Sequence, residues 1–568
     1  MTYRPAPLPS QPEETITADV IVIGAGVAGG MSAWKLAQAG HSVAILDAGP
    51  KIRRDEAVAR FHRTPWKDAN SPYVSPPWAP APDGACDYYV QNGCPLPGAS
   101  SDLDLFQGIY VRGVGGTSWH MTGHAERFQP NDFRTRSAYG VGDDWPISYQ
   151  TLEPWYYQAE IDWGVAGSMT DTIAPPREKP YPMPPVPLTW LDRQVAAAAA
   201  TLSPPVEVKG YPHARNSVAY DNRPQCCGNA NCRIICPIGA KYDGSVHVMK
   251  AEQAGARLYP ERVAWLIETT PPSAGQPERI TAVWFKHPDG RVGVARGKLF
   301  IIACHAIETP RLLLLSASDR HPNGIANSSG TAGRYLTGAV DVDTYGWSPN
   351  PVYPYRGPVT ATGGFLGLRD GEFRKKFASV ATFIVNGGIN MALGPMIEAQ
   401  TAINDGLLGE ALAKEVASRS SREVYLSSTV EVMPSADNRL TLDEHLTDPL
   451  GLPRPHLHYH VDDYTREGIK EARERDLSVL RAMRATNITQ SPPMGSAAII
   501  AGTTRMGDDA KTSVVDSFGR SHDHPNLFLL GNSTFVTTTV CSPTLTNAAI
   551  TLRAADHILA TWRDSIAS

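Results

Sequence analysis

Nowhere in these 568 residues is there a run approaching the roughly 20 apolar residues that a membrane helix requires. A basic surplus is missing too. The 52 Lys and Arg stand against 57 Asp and Glu, a net charge of −5, with no basic stripe. That excludes the electrostatic footprint of a nucleic-acid-binding protein. The opening MTYRPAPLPSQPEET has no basic segment followed by an apolar one, so no export signal of the chain's own is expected. Two locations follow: cytoplasm, or export as the passenger of a partner that carries the signal. Cysteine is sparse, eight in all, and four of them fall between 226 and 236. A disulfide scaffold would spread them, and a chain of this size needs no such staples.

What is present is an ordinary globular composition, 42% apolar and 19% charged, with 49 Gly and 48 Pro that imply many loops. The length predicts two joined domains, or one large α/β domain with an insert. The organising stretch is 19–50, DVIVIGAGVAGGMSAWKLAQAGHSVAILDAGP. Residues 20–23 read as a buried strand and 30–39 as a helix with Met31, Trp34, Leu36 and Ala37 apolar. Residues 42–46 read as a second strand. Between strand and helix stand Gly24, Gly26 and Gly29 in the pattern G-x-G-x-x-G. Such glycines let backbone N–H groups approach a pyrophosphate at a helix N-terminus. Asp47, at the end of the second strand, is placed to accept from a ribose hydroxyl.

Residues 51–105 read as irregular, with Cys86 and Cys94 as buried free thiols. In 108–128, GIYVRGVGGTSWHMTGHAERF, Gly113, Gly115 and Gly116 let the backbone pass close to a flat ligand. In 222–243, Cys226, Cys227, Cys232 and Cys236 lie on a turn-rich segment that can bring sulfur ligands to one centre. Pro237 after Cys236 suits a ferredoxin-type run, and no C-x2-C knuckle of a zinc site occurs. Iron–sulfur leads, with zinc or no metal as alternatives. Residues 256–267 read as one strand. In 299–316, LFIIACHAIETPRLLLLS, a strand delivers Ala303 and Cys304, and a helix is predicted to start with Thr309 as cap and Pro310 first. Segments TATGGFLG, SVATFIVNGG and EVYLSSTVEVMP read as antiparallel strands, and 463–486 as an amphipathic helix packed on them.

VGGTSWH after an N-terminal GAGVAG, with 299–316 and 501–556, resembles the glucose–methanol–choline oxidoreductase family, whose members bind FAD. The cysteine segment is similar to that of the catalytic subunit of bacterial FAD-dependent glucose or glucoside dehydrogenases with an iron–sulfur cluster. The resemblance implies an α/β fold: a Rossmann-like FAD-binding domain with an inserted antiparallel-sheet substrate domain. The chain then divides into a lead-in (1–18), an FAD-binding domain (19–337) containing the segment 222–243, a substrate domain (338–462), and a helix with a C-terminal return (463–568). Implied FAD contacts are Gly24, Gly26, Gly29, Asp47, Arg112, Gly115, Gly116, Thr117, His120, Val263 at the adenine, Gly531, Asn532 and Thr544. In some relatives a histidine at the place of His120 is bonded covalently to the flavin. The branch places three irons, ahead of four, on Cys226, Cys232 and Cys236, with Cys227 as spare or substitute.

The resemblance breaks at the chemistry. The family's catalytic histidine position is Ile499, and its partner position is Ser542. Isoleucine transfers no proton. His124 is the first substitute and His305 the second, with Asn547 and Ser542 able to assist. The implied reaction is oxidation of a CH–OH group of a sugar, glycoside or sugar-derived alcohol. Electrons would leave through the cluster to an acceptor protein such as a cytochrome, and a small subunit would carry the export signal to the periplasm. The alternatives are an oxidase or other flavin reaction with a structural cluster, or a non-catalytic relay subunit.

Overall fold

The computed structural model describes residues 11–63, 110–171, 173–228, 235–271, 277–359, 362–387 and 396–566, with Leu8 and Phe106. Cys86, Cys94 and Cys232, and with them the free-thiol reading of the first two, lie outside the described residues.

The β-branched run Val20–Ile23 is the centre of a five-stranded parallel sheet. The strand order is Leu527–Leu529, Leu299–Ile302, Val20–Ile23, Val43–Leu46, Arg257–Tyr259. A parallel sheet must be covered on both faces, and alternation accomplishes this. Val20, Val22, Val43, Ile45, Leu299 and Ile301 pack with the helices Val27–Gln38, Ser245–Gln253 and Thr544–Ala560. Ile21, Ile23, Ala44, Leu46, Phe300 and Ile302 join a second core that includes Tyr149, Leu152 and Tyr156 of the helix Tyr149–Trp163. The sheet reverses direction of growth at Val20–Ile23, between its neighbours on either side. The C-terminal ends of the strands at such a switch point leave a crevice for ligand.

A seven-stranded antiparallel sheet covers that crevice. Its longest strand, Thr337–Trp347, lies next to one edge, paired with Glu423–Glu431 on one side and with Thr486–Gln490 and Met494–Ala501 on the other. Val380–Ile384, Gly363–Leu368 and Val208–Gly210 complete it. Its outer face packs Val340, Val342, Val380 and Val430 against Ile469 and Ala472 of the helix Asp463–Ala482. Three pairings thus draw on strands outside 338–462 in sequence, because a strand edge accepts whichever backbone reaches it.

Several local expectations are corrected. Glu14–Thr17, in the expected lead-in, is a strand paired in parallel with Val292–Arg296. The stretch read as irregular opens with the helix Arg54–Arg63, which buries Ala57 and Phe61. The strand expected over 256–267 is two strands in different sheets, Arg257–Tyr259 and Val263–Thr269. Pro260, which has no N–H, and Glu261, at φ 57°, break it. The helix expected to begin at Thr309–Pro310 begins at His305. Thr309 does not cap a helix there: its Oγ1 accepts the Cys304 N–H at 3.2 Å, one turn before the predicted start.

Candidate active site

A cavity of about 440 Å³ lies between the strand ends of the parallel sheet and the inner face of the antiparallel one. Its floor is built by the glycine pattern. A Cβ at Gly24 would fall 2.4 Å from the Ala303 carbonyl oxygen, and one at Gly29 would fall 1.8 Å from the Gly24 carbonyl oxygen. Only glycine allows strand, turn and helix to close this tightly. Space opens instead at Gly26, where a Cβ would meet nothing within 4 Å. Gly26 caps a helix with no acidic residue in its first turn, so its N–H groups face the cavity with their positive end uncompensated.

Asp47 sits beside this turn, buried, and both its oxygens are engaged. It accepts the Ala25 N–H at 2.8 Å and the Gly49 N–H at 2.9 Å. Burial raises its pKa, while the two N–H groups act in the opposite direction. An ionised carboxylate has about four acceptor sites, so a ribose hydroxyl can still be accepted.

The loop carrying Gly115, Gly116, Thr117 and His120 forms one wall. The Gly115 N–H donates to the Ala25 carbonyl at 2.8 Å, joining this loop to the glycine turn. A buried lysine braces it from behind. Lys241 Nζ donates to the carbonyls of Ser118 (3.2 Å), Trp119 (3.0 Å) and Met121 (2.7 Å). Sequence reasoning missed this residue, since a lone lysine in GAKYDG gives no local signal. Thr117 Oγ1 accepts the Val111 N–H at 3.2 Å.

At the same end, Arg112 Nη2 pairs with Glu308 Oε1 at 2.6 Å. Burial opposes the charge on Glu308, but Arg112 and Arg311 hold it well below the ordinary carboxylate range. His305 lies here, stacked on Tyr110 with ring centroids 4.6 Å apart. Burial pulls its pKa down to about 4, so it is neutral at pH 7. Val263 lines the same cavity.

Opposite, Gly531 and Asn532 line the cavity together with Ser542, Pro543, Thr544 and Asn547. Thr544 opens the helix Thr544–Ala560, which has no acid in its first turn. Asn547 Oδ1 accepts from Thr551 one turn on, at 3.2 Å. Asn532 Oδ1 is buried with no hydrogen-bond partner among the described residues. An orphaned acceptor, two uncompensated helix N-termini and a cradle that a Cβ would fill together fit a dinucleotide with a flat ring system, as FAD is.

His124 and His305 line the same cavity but belong to different parts of it. His305 follows Cys304 at the end of a Rossmann strand. His124 belongs to a cluster of three rings with Tyr211 (5.0 Å) and Phe383 (4.9 Å, planes 7° apart), which are 4.9 Å from each other; Phe383 is a residue of the antiparallel sheet. Ile499 also lines the cavity, an apolar residue where the resemblance calls for a base.

Of the four clustered cysteines, Cys226 is half-buried, Cys227 exposed and Cys236 buried. Among the described residues no three metal-ligating side chains converge. The segment is nevertheless tied to the loop at the cavity. Arg54 Nη1 donates to the Cys236 carbonyl at 2.7 Å and stacks on the Trp119 ring at 4.7 Å, one residue before His120. Sequence reasoning missed this arginine too, because its helix lies in the stretch read as irregular.

Comparisons with known proteins agree with this geometry. A family model described as GMC oxidoreductase matches residues 434–551, and one described as FAD dependent oxidoreductase matches residues 19–60. The fructose dehydrogenase large subunit of Gluconobacter japonicus is 39% identical over 96% of this chain and 98% of its own. The 2-methyl-1,2-propanediol dehydrogenase of Mycolicibacterium austroafricanum is 27% identical over 96% of each. A crystal structure of formate oxidase superposes with a TM-score of 0.61 at 14% identity, covering 97% of this chain and 100% of that one. With the glycine cradle, the covering sheet and these matches together, the chain belongs to the glucose–methanol–choline oxidoreductase family and is an FAD-dependent oxidoreductase.

Proposed function

We propose that this chain is the flavin-bearing subunit of a dehydrogenase that oxidises a CH–OH group of a sugar or related polyol. The observation that carries the reading is the likeness, at 39% identity over nearly the whole chain, to a protein named fructose dehydrogenase large subunit. Bound FAD supplies the hydride acceptor. The chain's residues do the rest. The glycine turn and the N-terminus of the helix Val27–Gln38 hold the pyrophosphate. The loop braced by Lys241 and the residues Gly531, Asn532 and Thr544 orient the ring. The antiparallel sheet covers the reacting carbon and excludes water.

His124 takes the hydroxyl proton. What supports it over His305 is place: it stands against Phe383 on the covering sheet, where substrate enters, while His305 stands at the Rossmann strand ends. The two neighbouring rings of Tyr211 and Phe383 restrict the imidazole, and a proton-accepting nitrogen must be held in position. Ser542 and Asn547, across the cavity, are placed to hydrogen-bond the substrate.

An iron–sulfur centre on Cys226, Cys232 and Cys236, with Cys227 in reserve and three irons ahead of four, is part of the same proposal. Its support is the spacing of the thiols and the Arg54–Trp119 contact that joins their segment to the cavity wall. A partner protein would receive the electrons, and a small subunit would bring the chain to the periplasm.

The test is anaerobic purification followed by visible and paramagnetic-resonance spectra before and after adding D-fructose, D-glucose and glycosides. Flavin bleaching by one of them, with iron and sulfide present, supports the whole reading. Bleaching without iron removes the relay. A flavin that no sugar or polyol reduces removes the dehydrogenase.

A further inference from the structure

The strand Thr337–Trp347 lines the cavity with three alternate residues, Ala339, Asp341 and Asp343. Its neighbour Glu423–Glu431 answers in register: Thr429 lies opposite Asp341, Ser427 opposite Asp343, and Tyr425 opposite Tyr345. Thr429 Oγ1 donates to Asp341 Oδ1 at 2.9 Å, and Ser427 Oγ donates to Asp343 Oδ1 at 2.7 Å. Thr429, Ser427 and Tyr425 line the cavity as well.

Two features make this more than a pair of solvated acids. The hydroxyls fix the orientation of the carboxylates, as cross-strand partners do. A carboxylate has about four acceptor sites, so each can accept further hydroxyls while it holds its Ser or Thr. Moreover, among the described cavity-lining residues, the antiparallel sheet contributes two carboxylates and no Lys, Arg or His. Two residues along a strand place their Cα atoms about 7 Å apart, a span that a chain or ring of several hydroxylated carbons can bridge.

We propose that Asp341 and Asp343, braced by Thr429 and Ser427, are the specificity-determining ladder of this site. They accept hydrogen bonds from the hydroxyls of a neutral polyhydroxylated substrate and repel one that carries a carboxylate. This rests on the reading of the cavity as a sugar or polyol site.

The test uses the full-length, FAD-loaded chain and the variants Asp341→Asn, Asp343→Asn and the double substitution, which keep shape and remove charge. D-Fructose, D-glucose and D-gluconate are the probes. KM and kcat are read from flavin-linked turnover, and binding is read separately from the perturbation of flavin absorbance, which needs no turnover. FAD content and melting temperature establish that each variant is folded. The ladder predicts a KM for the neutral sugar raised roughly tenfold or more, the loss of a charge-assisted hydrogen bond, with kcat little changed. It also predicts gluconate binding that strengthens in the double variant. Should an Asn variant fail to fold, Thr429→Ala and Ser427→Ala remove only the bracing and should raise KM about threefold by loosening the acids. Unchanged KM and unchanged sugar binding in folded variants would overturn the ladder, as would a parent protein that binds gluconate as well as a neutral sugar. If no sugar reduces the parent flavin, the dehydrogenase reading fails by that result, and the binding titration still judges the ladder.

Discussion

His124 and Glu126 stand two residues apart on one extended stretch and have opposite surroundings. His124 packs with the rings of Tyr211 and Phe383 at the cavity; Glu126 is buried, with Oε2 unpartnered among the described residues. Removing a positioned general base typically costs 10²–10⁴-fold in rate. Replacing His124 with Asn should therefore slow flavin reduction by about that factor with FAD content unchanged, whereas His305→Asn should leave the reduction rate within a few-fold. Stopped-flow bleaching separates the two, and the reverse ranking would assign the base to His305. Burial raises the Glu126 pKa to about 7, against the pull of Arg369. A carboxyl raised in the folded state stabilises the fold fully below its unfolded pKa, and that contribution is lost as pH rises through about 7. The shift corresponds to on the order of 3 kcal/mol. Urea unfolding at pH 5 and pH 8.5 should show the parent losing stability over this interval by more than Glu126→Gln does. Equal slopes would mean that Glu126 does not titrate there. The histidines were visible in the sequence as residues, but not their separation, which depends on Phe383 arriving from a strand more than 250 positions away.

At the scale of elements, the strand–turn–helix–strand unit and the antiparallel strands in TATGGFLG, SVATFIVNGG and EVYLSSTVEVMP were legible from their patterns, but other strands and one helix start were not. The strand–turn–helix–strand unit is local: four apolar residues, a glycine turn, a helix and a second apolar run. Its most demanding position is Gly29, and Gly29→Ala should yield protein with essentially no bound FAD, read as the ratio of absorbance at flavin and protein bands. Retained flavin would show that the Gly24 carbonyl can move aside. The roof strand Thr337–Trp347 escaped notice although its alternation, VDVD, is a half-buried strand's signature. The helix at His305 escaped for another reason. Thr309 and Pro310 are plausible capping residues, but Thr309 satisfies the backbone of Cys304 instead. The brace from Lys241 invites a test of its own. Lys241→Met removes three hydrogen bonds to the loop's carbonyls, and it should weaken FAD binding at least tenfold while leaving the parallel sheet's far-ultraviolet signature intact. Unchanged FAD affinity would mean that the loop holds its shape without the lysine.

At the scale of the whole molecule, the cavity is formed between two sheets rather than within either. The parallel sheet supplies the cradle, and the antiparallel sheet supplies the cover. FAD that binds across such a seam stabilises both sides at once. Free FAD at about 100 times its Kd should add about 2.7 kcal/mol to unfolding, seen as a rise in Tm of the flavin-stripped chain that grows with FAD concentration. A Tm indifferent to FAD would place the cofactor outside the cooperative unit. Among the described residues no helix is long and apolar enough to cross a membrane.

The two-residue period of the roof strand has a consequence for descent as well as for folding. Val340 and Val342 face the helix Asp463–Ala482 and hold the sheet to its support. Ala339, Asp341 and Asp343 face the cavity. One set of positions carries inheritance of the architecture, and the interleaved set is open to variation. A lineage can therefore exchange the chemistry it recognises by single substitutions at alternate sites, without passing through an unstable intermediate, so relatives named for different substrates can share one scaffold.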